Sequence, residues 1–192
     1  MLASALEHGG RGITVAIRPL ANDVSDRCLE LVADALGCRG YATTIEVNMT
    51  SGSALRAGRA DVSVLVIGEL CTPRDAAPWL RDDASHLPFV IRAEEIAVGP
   101  VIVPGATACV ACDAAHAKQR DPAWPLVMSQ LAGRPTPDAP ISLVAEAGAL
   151  VATLLADATT LITRAAAATA TDPRPPTQAT RSVTVSLHAP RR

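Results

Sequence analysis

"GITVAIRPLANDVSDRCLELVADALGCRGYATTIEV", running from Gly12 to Val47, holds a complete strand–helix–strand unit. Gly12 to Arg18 is an aliphatic run closed by Pro19, which reads as a strand. In "NDVSDRCLELVADALGCRG" the side chains of Leu29, Val32, Ala33 and Leu36 share one helical face. Asn22 or Asp23 stands where it could cap the N-terminus, and Gly37 or Gly40 where the helix should stop. Tyr41 to Val47 returns as a second strand. Working outward, the same alternation continues. "SGSALRAGRA" (51–60) reads as a short helical connection, and "DVSVLVIG" (Asp61–Gly68) as a strand buried on both faces, because its aliphatic run is unbroken. "TPRDAAPWLRDD" (72–83) is a short helix with Pro73 in its first turn, "LPFVIRA" (87–93) a fourth strand, and "EIAVGPVIVP" (95–104) a further strand or hairpin arm.

Strands alternating with helices predict an open, mostly parallel α/β sheet flanked by helices. Further on, Ala108 to His116 and Ala123 to Ala132 read as short helices, and Ile141 to about Thr169 as one Ala-rich helix. "TDPRPPTQAT" (171–180) is a Pro-rich breaker and "RSVTVSL" (181–187) a terminal strand. Residues 1–11 and 189–192 read as flexible ends around a single domain, 12–188. No internal repeat is visible.

Composition narrows the function classes. Of 192 residues, 49% are apolar and only 2% aromatic, so the core must be built from Ala, Val, Leu and Ile. A net charge of −2, with almost no stacking aromatics, argues against nucleic acid as a partner. The long apolar stretch from Ala139 to Ala170 is interrupted by Glu146, Asp157 and Arg164 and reads as a poor membrane span. The first dozen residues lack the pattern of a signal peptide, which leads to the expectation of a cytoplasmic protein with reduced cysteines.

The chemistry-bearing candidates are few. The turn after the first strand, "IRPLANDVSD", has no glycine, carries Pro19, and puts Asp23 and Asp26 where a polyphosphate would sit. Nucleotide binding in the usual place is therefore not expected. Cys109 and Cys112 are spaced so that two thiolates can face one metal ion, with His116 as the nearest third donor and His86 and His188 as distant ones. The same pair could be a redox couple, or could simply pack. Cys28 and Cys38 read as core or helix-end residues. His8, Glu94, Glu95, Arg181, Arg191 and Arg192 read as solvated positions. There is no G-x-S-x-G and no Ser-His-Asp arrangement, so no catalytic constellation stands out.

From Val98 to Gly133 the chain reads "VGPVIVPGATACVACDAAHAKQRDPAWPLVMSQLAG". With Gly99-Pro100, Pro104-Gly105, the Cys109/Cys112 pair, Arg120-Asp121-Pro122, Trp124-Pro125 and Gln130-Leu131, it resembles the ThiF-like cyclodehydratase partner of azole- and azoline-forming (bacteriocin-type) peptide biosynthesis. The resemblance covers residues 12–188 and is strongest over 98–133. It implies a Rossmann-like (ThiF-like) sheet and a non-catalytic scaffold. That scaffold would dock onto a YcaO-type cyclodehydratase, which binds ATP and closes the ring, and would present the precursor peptide. A homodimer is a second expected assembly. The family's winged-helix module ahead of the sheet and its second cysteine pair after the last strand have no counterpart in these residues. The resemblance thus makes Cys109 and Cys112 half of a zinc site, the other half being missing, replaced by a histidine such as His116, or supplied by another chain. Two alternatives stay open: an adenylating or thiol-dependent enzyme using Cys109 or Cys112, and a zinc-stapled structural module. Ala147, Gly148, Ala149, Ala152 and Ala156 thin one stretch of the long helix, for packing against its own sheet or against a partner.

Overall fold

The computed structural model describes residues 12–47, 60–167 and 182–187. The expected flexible ends, the helical connection at 51–59, the Pro-rich breaker, His8, His188 and the three terminal arginines lie outside the described residues. Six strands are formed: β1 (Thr14–Pro19), β2 (Ala42–Ile45), β3 (Val62–Gly68), β4 (His86–Ile91), β5 (Glu95–Val98) and β6 (Val183–Ser186). The helices are α1 (Asp26–Gly37), α2 (Pro73–Arg81), α3 (Val110–Arg120), α4 (Trp124–Leu131) and α5 (Ile141–Ala167). One sheet holds all six strands in the order β2-β1-β3-β4-β5-β6. The first four pair in parallel, and β5 and β6 are added antiparallel, so the open, mostly parallel Rossmann-like α/β sheet is the fold observed. Of the two expectations for 95–104, the hairpin arm is the one that forms. Beyond it, Ile102 returns to bridge His86 through two backbone hydrogen bonds of 2.9 and 2.7 Å.

Local signals set most boundaries. Thr72 and Asp75 form a reciprocal capping box ahead of Pro73, which fixes the start of α2. The start of α1 differs from the sequence reading. Ser25, not Asn22 or Asp23, is the cap, its Oγ accepting from the Cys28 N–H at 3.3 Å, because the Asp23 carboxylate is engaged elsewhere. Gly37 ends the helix, and Gly40, with φ of +81°, turns the chain into β2.

One face of the sheet is dry. Val15, Ile17, Val62, Val64, Val66, Leu87, Phe89, Ile96 and Val185 point into it and meet α1 and α5. Each such side chain contributes roughly 1.5–3 kcal/mol by leaving water. The two helices approach so closely that a Cβ on Gly148 would sit 2.9 Å from the Ala35 Cβ. Ala147 and Ala152 are buried with Gly148, Ala149 is half-buried and Ala156 is exposed. The thin stretch of α5 thus serves packing against α1. The Tyr41 hydroxyl ties the same contact by donating to the Ala152 carbonyl at 3.3 Å. Glu146, Asp157 and Arg164 do not make α5 too polar for a bilayer: Ile141–Ala165 is long and apolar enough to cross one. In this fold its apolar side lies on α1 and the sheet.

The opposite face is mixed. Arg18, only 2% exposed, donates from Nε to Ser63 Oγ at 3.1 Å and pairs with Glu46 at 2.9 Å. Burial lowers its pKa and the Glu46 carboxylate works against that shift. His86 sits beside Ser63 in register and is fully buried. Its Nδ1–H donates to the Ala84 carbonyl at 3.0 Å, which leaves Nε2 as an acceptor. Among the described residues neither His86 Nε2 nor the nearby buried Trp79 Nε1 has a hydrogen-bond partner.

Candidate functional site

In an open α/β sheet, ligands sit outside the carboxyl ends of the strands where the order reverses, here between β1 and β3. That crevice is bridged by the chain itself. Thr136, in the loop ahead of α5, donates its N–H and hydroxyl to the two carboxylate oxygens of Asp23 at 2.7 and 2.8 Å. On the other side, a Cβ on Gly68 at the end of β3 would come within 2.6 Å of the Thr136 Cα, so the bridge needs glycine there. The two hydrogen bonds, backbone first, hold the Asp23 carboxyl below the usual carboxylate range. A fixed carboxylate and a glycine-free turn stand where phosphate donors would have to be.

A second concave region lies on the mixed face, bounded by β4, β5, β6, α3 and α4, with a volume of about 910 Å³. Of the motif residues, Gly99, Pro100, Arg120, Asp121 and Trp124 line it. Gly99 takes φ of +84° next to Pro100, across a cis peptide bond, and both line the groove. Gly105, in the turn after Pro104, has φ of +76°, which again calls for glycine. Asp121 ends α3 and accepts from the Ala123 N–H at 2.9 Å, turning the chain at Pro122. Trp124 and Pro125 then open α4, where a proline in the first turn costs no backbone bond. The Trp124 ring faces the groove, and its buried Nε1–H has no partner among the described residues. Thr184 of β6 lines the same groove, while its neighbours Val183 and Val185 point to the dry face. Arg92, which pairs with Glu95 and donates from Nε to the Glu69 carbonyl at 3.1 Å, stands at one rim.

Cys109 is the residue at the N-cap of α3 and Cys112 lies one turn on; their sulfurs are 3.5 Å apart. Two thiolates at that separation suit one tetrahedral metal ion. His116, exposed on the same helix, does not complete the set: among the described residues no group of three or more His, Cys, Asp or Glu side chains could hold a metal. Among the described residues the pair therefore offers two of the four donors that a structural zinc takes, and does not fit a complete site. His86 is committed to the buried row on the sheet. Cys28 and Cys71 are buried, which pushes their thiols up to about 11 and about 12, and Cys38 is exposed at the end of α1.

The fold defines a class, the open Rossmann-like α/β sheet with an antiparallel extension. No family model and no curated protein matches the sequence. Among solved structures, a heterocyclase in complex with substrate and cofactor matches at a TM-score of 0.62 and 21% identity, over 95% of this chain and 23% of that one. The heterocyclase TruD matches at 0.60 and 21%, over 96% and 26%. MccB of E. coli, solved with SeMet MccA, matches at 0.53 and 13%, over 84% and 60%. At these identities the likeness is one of fold. The chain spans about a quarter of each heterocyclase chain it matches.

Sequence reasoning missed Thr136, the Arg18–Ser63–His86 row and Arg92. "GRPTPDAP" has no periodicity to mark Thr136 as a bridge. Arg18 did carry a signal: a charged residue inside an aliphatic strand must find a buried partner.

Proposed function

We propose that this chain acts as a non-catalytic ThiF-like partner in the ring-forming modification of a ribosomally made peptide, supporting a YcaO-type cyclodehydratase. The observation that carries the reading is the Asp23–Thr136 bridge over Gly68, which occupies the crevice a nucleotide would need. The likeness of nearly the whole chain to about a quarter of two heterocyclases supports it, because the remaining length of such proteins leaves room for the ring-closing machinery elsewhere. The groove walled by Gly99, Pro100, Asp121 and Trp124 is the surface offered to the partner enzyme or to the precursor peptide. Adenylation by this chain would require phosphate donors at Leu20 to Ser25, where an acidic, glycine-free turn stands.

The test is a reconstitution. A YcaO-type cyclodehydratase and its precursor peptide are assayed for dehydrated product with and without this chain, and ATP binding to the chain alone is measured by calorimetry. Product formation that rises with the chain, and no heat at millimolar ATP, is the expected result. ATP binding to the isolated chain, or a product yield indifferent to it, would sink the proposal.

A further inference from the structure

We propose that Cys109 and Cys112 form a reversible dithiol–disulfide switch in the first turn of α3. The proposal is independent of the scaffold reading. With the sulfurs already 3.5 Å apart, closing a bond of about 2.05 Å needs an approach of about 1.5 Å, within reach of side-chain rotation. Cys109 has extended backbone angles (φ −109°, ψ 173°) and makes no side-chain capping bond among the described residues, so its thiol is not tied into the helix. Cys112 is exposed and Cys109 half-buried, an outer thiol to react first with an oxidant and an inner one to resolve. The other cysteines are poor competitors: Cys28 and Cys71 are buried, and Cys38 stands alone at the end of α1. Among the described residues the pair lacks the two further donors that a structural zinc takes.

The step balances with a low-molecular-weight disulfide as oxidant. The Cys112 thiolate attacks one sulfur of that disulfide, forming a mixed disulfide and expelling one thiolate. The Cys109 thiolate then attacks the Cys112 sulfur, forming the Cys109–Cys112 bond and expelling the second thiolate. Both protons go to solvent or to the departing thiolates. The protein dithiol is oxidised by two electrons, and the small disulfide is reduced to two thiols. Excess thiol reverses the step. Because Val110, Asp113, Ala114 and Ala117 of the same helix wall the groove, the bond stiffens one side of that surface.

The experiment uses the full chain carrying Cys38→Ser, washed with chelator and equilibrated with mixtures of reduced and oxidised glutathione. Zinc content, free thiols and cysteine-containing peptides are followed by mass. The expected result is the loss of two thiols per chain in one step, mapping to a Cys109–Cys112 link and recovered on reduction. Further substitution of Cys109→Ser should leave glutathione stably on Cys112. Three results would each overturn the proposal: glutathione persisting on Cys112 while Cys109 is present, a disulfide joining two chains, or both thiols shielded by zinc that survives the chelator.

Discussion

The two faces of the sheet use the same strands to opposite ends. Towards α1 and α5, alternate residues of β1, β3, β4 and β5 are apolar and buried, and the helices close on one another through Gly148 and Ala35. Towards α2, α3 and α4, the intervening residues include Arg18, Ser63 and His86, and the helices stand off enough to leave a groove of about 910 Å³. The first face is closed by helix packing, and the second is left open as a groove with polar groups in its lining. The difference teaches where to look for function when the sequence offers no catalytic motif: on the face where, among the described residues, polar groups are buried but not all satisfied, and where turn-forming glycines and prolines shape a concave wall.

Substitutions on the dry face should produce the largest effects. Leu155 is fully buried between α5 and the sheet, and Leu155→Ala should cost about 2–5 kcal/mol in urea unfolding, the range for a core truncation that leaves a cavity. A loss below ~1 kcal/mol would mean that α5 is loosely docked, and the contrast between the faces would fail. Gly148→Val attacks the same contact by overfilling it. With Cβ already at 2.9 Å from Ala35, the added methyls must push the helices apart, at about 1–3 kcal/mol. Pairing it with Ala35→Gly should recover part of the loss if the clash lies where the structure places it.

On the mixed face the expected effect is a pH dependence. Burial lowers the His86 pKa below its ordinary value near 6.5, so the unfolded chain binds a proton more readily than the folded one. The stability that His86 contributes is full above about 6.5 and falls as pH drops through the window from there to the folded value, at up to ~1.4 kcal/mol per pH unit. His86→Asn, which keeps a donor for the Ala84 carbonyl, should flatten that slope between pH 7 and 5. An unchanged slope would place the acid sensitivity elsewhere.

The sequence was legible where one residue type has one physical consequence. Aliphatic runs bounded by Gly and Pro located the strands, and Pro73 marked the start of α2. Gly99, Pro100, Asp121 and Trp124 were legible as a linear motif, but not as the wall of a groove, because the opposite wall comes from β4 and from β6, about sixty residues further on. Asp23 shows the limit most clearly. As a sequence feature it reads, with Asn22, as a candidate helix cap, and only the fold gives the cap to Ser25 and brings Thr136, 113 positions away, to the Asp23 carboxylate. Such a contact leaves no periodic trace.

The smallest effect is the most informative about the groove. Trp124 is half-buried, with its indole N–H buried and unpartnered among the described residues. An unsatisfied buried donor costs on the order of 1–3 kcal/mol, whereas the indole ring gains from its partial burial. Trp124→Phe gives up some of that packing and removes the unpaired donor, so the two changes should nearly cancel. The melting temperature should then stay close to that of the unaltered chain, a stability change within about 1 kcal/mol. A fall several times larger would mean that the N–H is bonded in solution and that the ring belongs to the core, making the two faces alike. Near-neutrality, with weaker capture of the cyclodehydratase or its peptide, would set stability and contact on separate faces at the resolution of a single nitrogen.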